Sequence, residues 1–167
     1  MFSLFNLSVL FMKIVLMQTG KTSDKNVSGL ADLYSSRISK YHAFETITLP
    51  ELKNTRNMPV EEQKVKEGKK MLQTLNPDDY IVLLDERGRE FRTVELAAWL
   101  EKIFMGGKRL VFVIGGPWGF SEEIYTRADF RISLSRMTFP HQLVRLLFLE
   151  QLYRSCTVIK GEPYHHE

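Results

Sequence analysis

The residues best suited to chemistry sit where apolar runs end. Residues 111 to 120 read VFVIGGPWGF, an apolar strand leading straight into Gly115-Gly116-Pro117-Trp118-Gly119. Glycine has no Cβ, so a flat ring can lie against peptide groups there. The spacing is not the dinucleotide fingerprint G-x-G-x-x-G, and no Gly-Lys-Ser/Thr follows to make a phosphate loop. On glycine alone, a bare turn and a ligand loop both stay open. Two further strand ends have the same character. One is Leu84-Asp85; the other is Ser135-Arg136-Met137-Thr138-Phe139-Pro140, which follows Leu134. Ligands of open α/β sheets bind beyond the carboxyl ends of strands, so these three ends are expected to share a pocket.

Hydrolytic and metal chemistry find little support. Ser121, Ser133 and Ser135 lack a nucleophile-elbow context. His141 falls in the first turn of the last helix and reads as a structural hydrogen-bonding group, with a catalytic role as the alternative. His165 and His166 are adjacent, so they point apart and cannot chelate as an i, i+4 pair does. No metal is expected. The single cysteine, Cys156, excludes an internal disulfide framework and a cysteine zinc site. A reducing cytoplasm fits best.

Apolar spacing predicts the elements that hold these residues. Strands are expected at Lys13–Gln18, Phe44–Leu49, Tyr80–Leu84, Leu110–Ile114 and Phe130–Leu134. Helices are expected at Ser28–Tyr41, Val60–Leu75 and Thr93–Met105, as a short piece capped by Ser121, and from Pro140 to about Cys156. Strands alternate with helices and the middle strands are solidly apolar. That pattern predicts an α/β fold: a mostly parallel sheet with helices on both faces. The last helix is apolar nearly all round, through Leu143, Val144, Leu146, Leu147, Phe148, Leu149, Leu152 and Tyr153. One side can cover its own sheet; a second subunit is the simplest cover for the other, so a homodimer is expected.

The 167 residues suit one domain, and 44% hydrophobic against 26% charged residues is an ordinary globular balance. A net charge of +3 permits a nucleic-acid partner without demonstrating one. Residues 1–11, MFSLFNLSVLF, are uncharged. They read as a leader or a misassigned start ahead of a single domain over 12–167, and no membrane association is expected. An anchor is the alternative.

Four stretches together resemble one family: LLDERGREFRTVELAAWL, FVIGGPWGF, ISLSRMTFPHQLVRLLFLEQLYR and the closing GEPYHHE. In order and spacing they are similar to the ribosomal RNA large-subunit methyltransferase H family of the SPOUT class, from Met12 to Glu167. The resemblance implies a C-terminal deep trefoil knot, a cytoplasmic homodimer, and S-adenosyl-L-methionine bound in the knot loops. It implies methylation of N3 of a pseudouridine in the helix 69 loop of 23S ribosomal RNA on the assembled ribosome, with S-adenosyl-L-homocysteine as product. Carried over by position, the cofactor residues are Leu84, Gly116, Leu134, Ser135, Arg136, Met137, Thr138, Phe139 and Pro140. Another SPOUT enzyme acting on a different base, and a non-catalytic ribosome-associated dimer, are the alternatives.

The implied reaction needs a base, because N3 of a uracil-type ring carries a proton at neutral pH. His165 is the first candidate, since an ordinary imidazole, with a pKa of ~6.5, is mostly neutral at pH 7. Tyr164 is placed to stack on or position the target ring, and Arg154 to offset charge developing on its carbonyls. Lys53, Arg56, Lys64, Lys66, Lys69, Lys70, Arg87, Arg89 and Arg92 are candidate phosphate contacts. The helix lysines alternate with Glu61, Glu62 and Glu67 as on a solvated face; Arg87 and Arg89, beside the expected pocket, are the stronger candidates. Trp118 receives no role.

Overall fold

The computed structural model describes residues 12–166, so the expectation for residues 1–11 lies outside the described residues. Strands and helices alternate as β1 (Lys13–Thr19), α1 (Lys25–Ile38), β2 (Ala43–Leu49), α2 (Val60–Thr74), β3 (Tyr80–Glu90), α3 (Thr93–Phe104), β4 (Leu110–Ile114), α4 (Glu122–Arg127), β5 (Phe130–Ser133) and α5 (His141–Ile159). The strands form one sheet in the order β2-β1-β4-β3-β5. Every neighbouring pair runs parallel. The α/β expectation therefore holds, with a sheet that is parallel throughout.

Strand residues alternate between two cores because successive side chains point to opposite faces. Ile14 and Leu16 of β1 and Phe112 of β4 pack with α1, α3 and α5. Val15, Met17, Val111 and Val113 pack on the other face with Met71 of α2 and Ile124 of α4. Ile14, Val15, Leu16 and Met17 are all at 0% exposure. Burying each is worth roughly 1.5–3 kcal/mol, which holds β1 in the middle of the sheet.

Several boundaries differ from the sequence expectation. Helix α1 begins at Lys25, three residues early, because Asp24 Oδ1 accepts from the N–H groups of Asn26 and Val27 at 2.8 and 3.1 Å. A side-chain cap, which apolar spacing does not register, sets that end. Strand β3 continues past Leu84 to Glu90, with a register shift against β5 between Leu84 and Arg89. Gly88 permits it: a Cβ there would sit 2.5 to 2.7 Å from backbone atoms of Ile132 and Arg131. Helix α5 runs to Ile159.

Helix α5 lies against α1 and α3. It buries Phe148, Leu149, Leu152 and Cys156, while Leu146 and Leu147 stay half-buried and Leu143 is exposed. Its first turns are laced to the loop after β1. Arg145, 2% exposed, donates to the Thr19 carbonyl at 2.5 Å and to the Thr22 hydroxyl at 3.0 Å. Gln142 Oε1 accepts from the N–H groups of Ser23 and Asp24. These bonds fix the start of α5 over the carboxyl end of the sheet.

Candidate active site

A cavity of about 540 Å³ opens at the carboxyl ends of β3, β4 and β5. The three junctions singled out in the sequence meet there. Leu84, Gly116, Leu134, Ser135, Met137, Thr138 and Phe139 all line it. Two of the nine expected cofactor residues do not. Arg136 is 88% exposed at its side chain and pairs outward with Glu90 at 3.0 Å. Pro140 stands one residue before α5. Its ion pair with Glu90, 46 residues earlier in the chain, holds Arg136 on the outer side of the loop.

Local bonds shape the walls. Gly119 N–H donates to the Gly116 carbonyl at 3.2 Å, closing a tight turn with Pro117 and Trp118 at its tip. Gly119 has φ +82°, which favours glycine. The Met137 N–H donates to Ser135 Oγ at 3.0 Å, and Ser133 Oγ donates to the Ser135 carbonyl. Ser135 is thereby a builder of its loop. Leu84, Ile114, Leu134 and Phe139 supply apolar wall. A volume in the 300–1,000 Å³ range with a few polar groups suits a small organic ligand.

Three residues that sequence reasoning passed over matter here. Glu67, grouped above with a solvated face, is only 8% exposed. Its carboxylate packs behind Gly116, and Oε2 has no hydrogen-bond partner among the described residues. Burial pushes its pKa up; Lys70 pulls the other way and Glu51 adds to the rise. Beside it, Gly68 lies so close to α4 that a Cβ would sit 2.3 Å from Ser121 Oγ. A glycine inside a helix costs roughly 1 kcal/mol against alanine, and that cost was the available sign of close packing. Trp118, given no role above, lines the cavity with its indole half-exposed. An aromatic residue in a glycine turn was the clue.

The proposed acid–base residues lie elsewhere in the protomer. None of Arg154, Tyr164 and His165 lines the cavity. His141 does, and Arg154 follows it by 13 residues on α5. At 1.5 Å per residue that is roughly 20 Å along the helix axis. Within one protomer, the tail residues therefore do not reach the cofactor loops. One uninterrupted helix, His141–Ile159, separates them.

These tail residues form a cluster of their own. Glu150 Oε1 accepts from Arg154 Nε at 3.0 Å and from Tyr164 Oη at 3.3 Å. The Arg154 guanidinium lies 4.7 Å from the Tyr164 ring centroid. The Glu150 hydrogen bond raises the Arg154 pKa. A hydrogen bond with Tyr34, then burial, pushes Tyr164 up to about 12. Both ring nitrogens of His165 are buried with no partner among the described residues. Of the candidate phosphate contacts, Lys64 lines the cavity but pairs with Glu61, and Lys66 pairs with Glu62. Arg89 lies over the Phe91 ring, and Lys70 donates to the Pro50 carbonyl. Among the described residues no group of three or more metal-ligating side chains occurs, and no helix is long and apolar enough to cross a membrane.

A parallel sheet with one cavity across three adjacent strand ends defines a ligand-binding α/β protein. Residues 12–165 match the family described as "Predicted SPOUT methyltransferase", and the chain belongs to that family of enzymes. It is 50% identical over 157 residues to the ribosomal RNA large subunit methyltransferase H of Phocaeicola vulgatus, covering 93% of this chain and 100% of that protein. The protein of the same name from Christiangramia forsetii is 50% identical over 156 residues, covering 93% and 99% of the two chains. That from Parabacteroides distasonis is 48% identical over 157 residues.

Proposed function

We propose that the protein transfers a methyl group from S-adenosyl-L-methionine to N3 of a pseudouridine in the helix 69 loop of 23S ribosomal RNA, on the assembled ribosome in the cytoplasm. The observation that carries this reading is the meeting of seven of the nine expected cofactor residues around one cavity. The name its relatives carry supports the ribosomal RNA substrate.

The cavity fits the cofactor by its chemistry. Adenosine needs an apolar slot with backbone groups at its ring edge. Leu84, Ile114, Leu134 and Phe139 are placed to make that slot, and Gly116 keeps the backbone within reach. The Thr138 hydroxyl and the Ser135 loop orient what is bound. Bound there, S-adenosyl-L-methionine supplies an electrophilic methyl group that needs little activation. The protein's task is then to align the acceptor, exclude water and remove the N3 proton.

His165 is assigned that proton, Tyr164 the positioning of the ring, and Arg154 the charge on its carbonyls. Residues roughly 20 Å along α5 from the cavity mouth can do this only for another protomer. The half-buried Leu146 and Leu147 of α5 favour a second copy packed on that side. In the homodimer so formed, the tail cluster of one protomer completes the cavity of its partner. The knot that the resemblance implies would hold the cofactor loops and the start of α5 together.

Two measurements test the reading. Calorimetric titration with S-adenosyl-L-methionine should show binding, which Leu84→Arg abolishes. Mass mapping of helix 69 from a strain lacking the gene should show one missing methyl group that the gene restores. No cofactor binding removes the enzyme assignment; an unchanged helix 69 with a methyl group missing elsewhere replaces the target.

A further inference from the structure

A second cavity of about 510 Å³ adjoins the first and shares Arg87, Glu122 and Tyr125 with it. The Tyr125 ring forms part of its wall. Burial, then a hydrogen bond to Asp85, pushes the Tyr125 hydroxyl up to about 12, so it stays protonated and donates to Asp85. The Arg131 guanidinium lies 5.5 Å from the ring centroid. Arg87 is close enough to act on the same hydroxyl electrostatically. Both arginines are exposed.

Four other arginines are neutralised by carboxylates. Arg109 pairs with Asp79, Arg127 with Asp129, Arg136 with Glu90 and Arg154 with Glu150. Neither Arg87 nor Arg131 has a carboxylate partner among the described residues. Two of the nearby acids are already engaged. Asp85 accepts from the Tyr125 hydroxyl and from the Arg87 N–H. Asp129 accepts from the Ile81 N–H at 2.8 Å and pairs with Arg127. Among the described residues, Glu122 is the carboxylate lining the second cavity that has no such bond. Two unneutralised guanidiniums in one concavity make a site for an anion with several oxygens, which the planar fork suits.

We propose that this second cavity is a phosphate subsite for the substrate RNA strand. Arg87 and Arg131 hold a phosphodiester flanking the nucleoside that enters the first cavity, with the Tyr125 ring as the wall between them. The subsite rests on the RNA methyltransferase reading. Its continuity with the first cavity favours a strand over a free anion: a strand brings a phosphate and its nucleoside to adjoining sites in one event. Glu122 opposes the phosphate and weakens it.

The test uses full-length protein and ribosomes purified from a strain lacking the gene. Arg131→Ala should raise KM for ribosomes roughly 10- to 150-fold, the range for a charge-assisted hydrogen bond. It should leave the S-adenosyl-L-methionine Kd unchanged, because Arg131 does not line the first cavity. Arg87→Ala combined with Arg131→Ala should also flatten the plot of log kcat/KM against log salt, by ~0.7 per lost contact for a single strand. Glu122→Gln should lower KM. A double variant within twofold of the parent KM, with an unchanged salt slope, overturns the proposal. So does loss of inorganic phosphate binding with no change in ribosome KM, which would mark a free-anion site, and so does dissociation of the variants into monomers. A parent enzyme that binds cofactor yet methylates no ribosome would instead refute the RNA reading, and the subsite with it.

Discussion

Gly116→Ala probes how the glycine loop is seated. A Cβ at Gly116 would stand 2.5 Å from Glu67 Oε2, 2.9 Å from Oε1 and 3.0 Å from Cδ. Ordinary contact begins near 3.4 Å, so the carboxylate must retreat by 3.4 − 2.5, or about 0.9 Å. Glu67 is 8% exposed and packed behind the loop, so little space receives it. Overpacking of this kind costs roughly 1–3 kcal/mol. For a chain of this size, a loss of 2 kcal/mol lowers Tm by about 4–8 °C. The added methyl points at Glu67, so weakened cofactor binding would come from displacement of the loop. Glu67→Ala removes the clashing atoms. In that background Gly116→Ala should cost under about 0.5 kcal/mol, and cofactor affinity should recover. Urea denaturation of the four proteins, with calorimetric titration of S-adenosyl-L-methionine, measures the cycle. Equal costs of Gly116→Ala in both backgrounds would refute the packing reasoning.

Further outcomes follow from buried groups. The folded pKa of Glu67 is raised above its ordinary 4.5, so the native state holds the proton more tightly than the unfolded chain. Its contribution to stability is present below pH 4.5 and is lost as pH rises through the folded value. The stability gap between Glu67→Gln and the parent should therefore move in favour of the variant across that window; a gap independent of pH would remove the assignment. Burial pushes the Cys156 thiol up to about 12. At pH 8 a thiol reagent should label it only as fast as the protein opens, and prompt labelling in the native state would contradict its burial. Arg145→Ala leaves the Thr19 carbonyl without its donor and opens a cavity, so it should cost roughly 2–4 kcal/mol by urea denaturation. A loss under 1 kcal/mol would show that the lacing of α5 is dispensable.

The sequence by itself determined the alternation of strands and helices, the parallel α/β class and the three strand ends that form the cavity. Each follows from local pattern: apolar runs such as LVFVI at β4, helical spacing in α3, and the glycine break after Ile114. It placed Glu67 on a solvated face because Glu and Lys alternate around it, although the fold buries it. Burial depends on what packs from outside the segment, here the loop at Gly116. The same limit hid the outward turn of Arg136 and the outward reach of α5, which carries Arg154, Tyr164 and His165 away from their own protomer's cavity. Strand order also lay beyond the sequence, since β1 pairs with both β2 and β4 and β3 with β4 and β5. Only the tertiary structure decided these, because each turns on contacts between residues far apart in the chain, and local periodicity carries no record of them.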